Sequence, residues 1–295
     1  MAKKWEGKSK GTVLGYKIFV FFIKTLGLSF AYFILNFVVV YYFFFSREGR
    51  TSSYDYFKNH LKYSTLKSTI SILKNTYVFG QTIIDKVAIS SGLRNKFTYE
   101  FDGVEEINNL LKEKRGGILI SAHVGNFEIA DFFFDEIDYN SQIHLVTTDN
   151  EHEQIKEYLE SVTGKSKIKF ILINEDLSHI FEIKTALDQG GLVCFTGDRY
   201  FEGNKTLTEK LLGNEAEFPA GPFLMASRLN VPVLFVYVMK ETKKHYHLYA
   251  RKAKVENRNA QALLKEYTES IEWMLGKYPL QWFNYFKFWN SKKVE

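Results

Sequence analysis

The sequence predicts an α/β fold, in which helices flank a mixed sheet and a hydrophobic membrane-anchor helix lies at the N-terminus. Three observations support this prediction. The first is an uncharged, apolar run from Thr25 to Phe45. The second is an alternation of short apolar runs with stretches of helical spacing in the rest of the chain. The third is a length of 295 residues with 45% hydrophobic content, which is enough to bury a large core in one domain.

The N-terminal run TLGLSFAYFILNFVVVYYFFF has the length of a membrane span, because an apolar helix needs about 20 residues to cross the hydrocarbon core. A signal peptide would have a shorter apolar core and a small-residue cleavage site, so we expect the segment to be retained. We therefore predict a membrane anchor over residues 1–50. A helix lying in the membrane interface and a buried core helix are the alternatives. The positive-inside rule leaves the orientation open because cations flank the run on both sides: Lys3, Lys4, Lys8, Lys10, Lys17, Lys24, Arg47 and Arg50.

Residues 51–295 are predicted to form the α/β domain, in which two helices precede the sheet. Those helices are expected over Tyr54 to Leu61 and Ile70 to Ile89. Strands are expected over Phe97 to Phe101, Gly117 to Ala122, Ile143 to Thr147, Ile168 to Ile173, Leu192 to Thr196, Val231 to Val238 and His245 to Ala250. Further helices are expected over Val104 to Lys112, Phe127 to Glu136, Gln154 to Val162, Leu177 to Gln189, Gly221 to Leu229 and Ala260 to Leu275. No repeat or Pro/Gly-rich linker points to a second soluble domain.

Charge and cysteine content exclude several classes of protein. A net charge of +5 suits contact with anionic lipids or acidic substrates and does not require nucleic acid. The single cysteine, Cys194, excludes an intramolecular disulfide and cysteine-rich metal sites, and its apolar strand context favours a buried structural thiol. His245 and His247 share a strand face, but no third metal ligand is evident, so no metal is predicted.

The segment His123-Val-Gly-Asn-Phe-Glu128 places two titratable groups in an apolar and aromatic region. The apolar strand GGILISA ends at His123, and Gly125-Asn126 offers a turn and an N-cap before a helix. Carboxyl ends of strands form the ligand crevices of open α/β sheets. The turn would let the Glu128 carboxylate accept from one imidazole nitrogen of His123 and make the other nitrogen a general base. A core histidine with a helix-stabilising Glu128 is the alternative interpretation.

Four segments together resemble the bacterial lipid A biosynthesis acyltransferase family, within the lysophospholipid acyltransferase superfamily. The first is the H-x4-D/E motif, His123 to Glu128, after an apolar strand. The second is a strand followed by Gly-Asp-Arg, which is GGLVCFTGDR from Gly190 to Arg199. The third is FPAGPFLMASRLNVPVLFVYV from Phe218 to Val238, and the fourth is the Pro-x-Gln-Trp segment within YPLQWFNYFKFW from Tyr278 to Trp289. The resemblance covers nearly the whole chain and implies a glycerolipid acyltransferase-like fold.

The resemblance implies a membrane-associated acyltransferase with His123 as the general base and Glu128 as its partner. The acyl donor would be a thioester of acyl carrier protein or coenzyme A, and neither metal nor cofactor is implied. Arg199 would bind phosphate or another anion, and Asp198, Asn126 and Gly221 are further candidates for substrate binding. The catalytic domain would face the cytoplasm at a bacterial inner membrane, where the acceptor is a membrane lipid.

One departure from the family pattern concerns the acceptor. Lipid A enzymes usually carry basic residues after the final tryptophan motif, whereas FNYFKFWN has only Lys287. This difference disfavours a doubly phosphorylated glycolipid and leaves a lysophospholipid, an aminolipid or a membrane pigment as acceptors. A thioesterase or lipid hydrolase and a catalytically inactive lipid-binding scaffold are the alternative functions.

Overall fold

The computed structural model describes residues 13–130, 132, 142–147, 168–173, 176–200, 203–254 and 258–289, without the side chains of residues 13–19 and 128. The N-terminal part is helical. Helix α1 spans Val13–Leu26, α2 spans Leu28–Phe45, α3 spans Arg47–Asp55 and α4 spans Thr65–Ala88. The predicted anchor is thus divided between two helices, because Gly27 has a φ of 82° and interrupts the run.

Helix α2 lies along α4. Its buried residues are Leu28, Ala31, Tyr32, Leu35 and Val39, which recur at helical spacing. The Leu35 side chain lies against the α4 backbone at Gly80, where an added Cβ would be 2.3 Å from the Leu35 Cδ1 atom. The Tyr32 hydroxyl also bonds to the buried carboxylate of Asp85. One face of the predicted anchor is therefore part of the folded body.

Among the described residues, seven strands form the central sheet: β1 (Thr98–Asp102), β2 (Gly117–Ser121), β3 (Ile143–Thr147), β4 (Ile168–Leu172), β5 (Leu192–Thr196), β8 (Val233–Lys240) and β9 (His245–Lys252). Their order across the sheet is β1-β9-β8-β2-β5-β3-β4. The strands from β8 to β4 are mutually parallel, whereas β9 runs antiparallel to β8 and parallel to β1. The predicted mixed sheet is confirmed.

Helices cover both faces of this sheet. Helix α5 (Val104–Glu113) packs on one face through Ile107 and Leu110, in a cluster that includes Leu119 and Leu234. The other face holds the main core, to which α6 (Ser178–Asp188), α7 (Ala220–Arg228) and α8 (Ala260–Lys277) contribute. Strands buried on both faces explain why GILIS in β2 is apolar almost throughout.

At three places the prediction from sequence differs from the structure or extends beyond the described residues. A hairpin of β6 (Thr206–Leu211) and β7 (Asn214–Pro219), which is not among the predicted strands, precedes α7. Its polar composition hides the alternation that reveals buried strands. The helix predicted over Gln154 to Val162 lies outside the described residues. The helix predicted over Phe127 to Glu136 is described only at its start, as a 3-10 turn over Phe127–Ile129.

Candidate active site

His123 lies just beyond the carboxyl end of β2, in a tight loop. Gly125 has a φ of 69°, and a Cβ there would lie 2.2 Å from the Val238 carbonyl oxygen. Both facts explain the glycine, because an L-residue would be strained and would displace β8. The Asn126 N–H donates to that same carbonyl at 2.7 Å. The loop is thereby fixed against the end of β8, and the His123 side chain remains 25% exposed.

Asp198 contacts both the ring and the backbone of His123. The His123 Nδ1 atom lies 2.8 Å from Asp198 Oδ1, and the His123 backbone N–H donates to Oδ2 at 2.9 Å. The parallel register explains this meeting, because Ser121 of β2 is paired with Thr196 of β5. His123 and Asp198 each follow two residues later, so both arrive at the same edge of the sheet.

The Asp198 carboxylate is almost completely buried, with 2% of its surface exposed. Burial by itself would raise its pKa, but the charge of His123, the two hydrogen bonds from His123 and the nearby Arg199 outweigh that effect. The pKa of Asp198 therefore lies below its ordinary value. An ionised carboxylate at Nδ1 holds the imidazole in the tautomer whose proton is on Nδ1.

This pairing gives His123 the properties of a general base. With Nδ1 donating to Asp198, the Nε2 atom on the opposite edge of the ring can accept a proton, and the buried carboxylate stabilises the imidazolium that forms. The base and its orienting carboxylate form the arrangement used for activating a hydroxyl or amine nucleophile. Among the described residues, no group of three or more His, Cys, Asp and Glu side chains is arranged to hold a metal ion.

An apolar cavity adjoins this site. Its lining includes Ser121 of β2, Cys194 of β5 and Phe127, which lies four residues after His123. Further lining residues come from the neighbouring strands: Leu119, Ile143, Leu145, Ile168, Val236, Val238 and Leu248. A cavity with such walls suits a hydrocarbon chain rather than a polar ligand. Cys194 is partly buried within this wall, which agrees with the predicted structural thiol.

Comparison with known protein families identifies the family of this chain. The family model for bacterial lipid A biosynthesis acyltransferase matches residues 66–291. The chain belongs to this family. No curated protein matches the sequence. The resemblance predicted from the four motifs is thus confirmed, and the matched region contains both His123 and Asp198 and most of α4.

Within this acyltransferase family member, Glu128 occupies the 3-10 turn that follows the His123 loop. Its side chain lies outside the described residues, so the predicted contact between Glu128 and His123 stays a prediction. Asp198, which the sequence analysis treated as a substrate-binding residue, is the carboxylate seen on Nδ1. The sequence signal for this role was available, since Gly-Asp-Arg directly follows an apolar strand.

The other predicted substrate-binding residues of the acyltransferase occupy different surroundings. Asn126 is buried, and its amide donates to the Thr82 carbonyl of α4 at 3.0 Å. Arg199 donates from Nη2 to the Phe283 carbonyl at 2.8 Å and lies against the ring of Phe286. Gly221 is exposed in the first turn of α7. Asn126 belongs to the His123 loop, and Arg199 directly follows Asp198 in the chain. The roles of both residues toward substrate stay predictions.

Proposed function

We propose that this protein is a membrane-associated acyltransferase that moves a fatty acyl chain from an acyl thioester to a lipid hydroxyl or amine. The single observation that carries the proposal is the hydrogen-bonded pair of His123 and buried Asp198 at the carboxyl edge of the sheet. Family membership supports acyl transfer as the reaction. The donor would be acyl carrier protein or coenzyme A, and both are acidic partners that suit the net charge of +5.

The proposed reaction has one proton path. His123 Nε2 removes the proton from the acceptor hydroxyl or amine as the acceptor oxygen or nitrogen attacks the thioester carbonyl carbon. The C–S bond then breaks, and the proton on Nε2 passes to the departing thiolate, so that a free thiol leaves. Asp198 stabilises the imidazolium throughout. This scheme needs no covalent acyl-enzyme.

Glu128 remains a second carboxylate in the proposal. The H-x4-E spacing and the turn at Gly125 place its backbone directly after the His123 loop. We keep Glu128 as a proposed catalytic residue beside His123. The contribution of Glu128 is to be compared with that of Asp198. Arg199, Asn126 and Gly221 are proposed to line the donor or acceptor site, and Arg199 would supply the cation toward a phosphate.

The acyl chain would occupy the apolar cavity beside Ser121 and Phe127. This placement would bring the thioester carbon, at the polar end of the chain, close to His123, which follows Ser121 by two residues. The acceptor would be a lysophospholipid, an aminolipid or a membrane pigment, because the C-terminal segment lacks the basic cluster that is usual after the tryptophan motif of lipid A enzymes.

We infer that the membrane is approached by the outer face of α2. Among the described residues, Leu28–Phe45 is the one helix that is long and apolar enough to cross a membrane. Its inner face packs on α4, whereas large apolar side chains on the other face are exposed: Phe30, Phe33, Ile34, Phe37, Val38, Val40, Tyr41, Tyr42, Phe44 and Phe45. Contact with a bilayer would bury these aromatics. A bacterial inner membrane with the catalytic domain on the cytoplasmic side would give access to thioester donors.

The test uses purified protein in bilayers with labelled acyl thioesters and a total lipid extract of the source membrane. We expect a labelled lipid that is absent with His123→Ala and reduced with Asp198→Asn. His245→Ala is the matched control, because this partly exposed histidine of β9 bonds to Thr98 and lies in another part of the sheet. Free fatty acid as the only product would favour a hydrolase. Turnover that does not depend on His123 would contradict the proposed base.

A further inference from the structure

A C-terminal segment, residues 279–285, passes directly over the catalytic loop, and we call it the strap. It contains the Pro-x-Gln-Trp motif, Pro279 to Trp282. The strap forms a short antiparallel bridge to the loop between Val124 and Trp282. We propose that the strap orients His123 and that Gln281 and Asn75 are the positioning residues that hold it.

The strap bonds to two backbone groups of the His123 loop, the His123 carbonyl and the Gly125 N–H. The Phe283 N–H donates to the His123 carbonyl at 2.9 Å, and the Gly125 N–H donates to the Gln281 carbonyl at 2.8 Å. Together with the hydrogen bond from the His123 N–H to Asp198, these two bonds fix the backbone before and after the His123 side chain. A shift of the strap would therefore turn the imidazole relative to Asp198.

Gln281 fixes the strap to the end of β8. Its side-chain oxygen accepts the Lys240 N–H at 2.9 Å, and its side-chain nitrogen donates to the Lys240 carbonyl at 2.8 Å. The residue is buried, so water does not replace these bonds. Gln281 thus bonds to the sheet through its side chain and to the His123 loop through its backbone carbonyl.

Asn75 fixes the strap from the opposite side, in the middle of α4. Its amide nitrogen donates to the carbonyls of Leu280 and Trp282, both at 3.0 Å, which are the residues on either side of Gln281. Its oxygen accepts the Tyr285 hydroxyl at 3.0 Å, and the side chain is 1% exposed. Glutamine and asparagine are needed here because each supplies a donor and an acceptor in one planar group.

Arg199 adds a third attachment, since its Nη2 donates to the Phe283 carbonyl at 2.8 Å. Arg199 directly follows Asp198 in the chain. One strap residue, Phe283, therefore receives a hydrogen bond from the neighbour of Asp198 and donates one to the carbonyl of His123. This geometry links the two members of the pair through the strap.

The inference rests on the proposed role of His123 as a base, and its test separates the two. In protein labelled with ¹⁵N-histidine and free of substrate, NMR would detect the His123 Nδ1–H signal, assigned by its loss in His123→Ala. The variants Asn75→Asp and Gln281→Glu keep the side-chain shape but remove the hydrogen-bond donors. At temperatures where each variant is still folded, we expect its His123 Nδ1–H signal to shift or broaden. We also expect kcat to fall about 10- to 100-fold with little change in KM for the acyl thioester.

Thr268→Val is the control for general destabilisation, because Thr268 is buried in α8 and its hydroxyl bonds to the Lys265 carbonyl of the same helix. Gln281→Met is a second variant that introduces no buried charge. A folded Gln281→Met or Asn75→Asp protein with an unchanged His123 signal would overturn the proposal, as would an equal change in Thr268→Val. Failure of acyl transfer in the parent protein, with the NMR result as expected, would contradict only the proposed function.

Discussion

An Asp198→Asn substitution exchanges one oxygen for an NH₂ group and, given the site geometry, reverses the tautomer of His123. The His123 backbone N–H donates to one carboxylate oxygen at 2.9 Å, and Nδ1 lies 2.8 Å from the other. In the variant only the amide oxygen can accept the backbone N–H, so the NH₂ group must face Nδ1. Nδ1 then becomes an acceptor and the ring proton moves to Nε2, which can no longer act as a base.

The expected loss in kcat is on the order of 10⁴-fold, the size of effect associated with the same change in a Ser-His-Asp triad. The assay is transfer of a labelled acyl group from a thioester to lipid, measured from about pH 6 to pH 9 to span the titration of histidine. Asp188→Asn is the matched control, because Asp188 is exposed on α6 and pairs with Lys184. A loss of less than about tenfold in folded Asp198→Asn protein would refute the tautomer argument. A large loss in Glu128→Gln alone would assign the orienting role to Glu128.

The same substitution changes how stability depends on pH. The folded-state pKa of Asp198 is lowered, so its ionised form contributes stability that is complete above the unfolded-state pKa of about 3.9 and is lost as the pH falls through the lower folded-state value. The difference in free energy of unfolding between the parent and Asp198→Asn should therefore shrink as the pH falls below about 4. Urea unfolding at a series of pH values measures it, and a difference that grows toward acid would contradict the lowered pKa.

Four further predictions concern stability, activity and membrane attachment. Lys240→Met should lower the free energy of unfolding by about 3–5 kcal/mol, because it leaves the buried Asp85 carboxylate without its cation. Adding Asp85→Asn should recover much of this loss. Urea unfolding of the single and double variants measures both effects. Gly125→Ala should cost roughly 1–2 kcal/mol from its φ of 69° alone and reduce kcat, as unfolding and kinetics would measure. Leu35→Ala should cost about 2–5 kcal/mol in unfolding experiments because Leu35 is buried against α4. Phe37→Ser, which changes a 63% exposed side chain, should leave stability within about 0.5 kcal/mol and weaken sedimentation with lipid vesicles; unchanged sedimentation would contradict a membrane-facing α2.

Much of the sheet was predictable because its strands are short, apolar and separated by helices. The predictions over Ile143 to Thr147 and Leu192 to Thr196 coincide with β3 and β5. The hairpin of β6 and β7 was missed because its strands, TLTEKL and NEAEFP, are rich in polar and charged residues and lack an apolar run. The N-terminal run was read as one segment, but the single positive-φ Gly27 divides it, and glycine alone in an apolar run does not reveal its conformation.

The contact between His123 and Asp198 joins segments that lie far apart in the sequence. The H-x4-E spacing predicts Glu128 as a partner of His123, and this contact stays a prediction because the Glu128 side chain lies outside the described residues. The observed contact of His123 is with Asp198, 75 residues away, and it depends on β2 lying beside β5 in parallel register. The strap was also visible as a motif, yet its contact with the His123 loop depends on the return of the C-terminus to the sheet edge.

By itself, the sequence determined the α/β class, the apolar character of the N-terminal region, the family and the presence of a histidine at a strand end, because these follow from periodicity, composition and local motifs. Only the tertiary structure decided that Asp198 contacts His123, that Arg199 bonds to the Phe283 carbonyl, and that one face of α2 packs on the body. Strand order and helix packing arise from the sum of many burial contacts between distant segments, and no local pattern encodes which distant segments will meet.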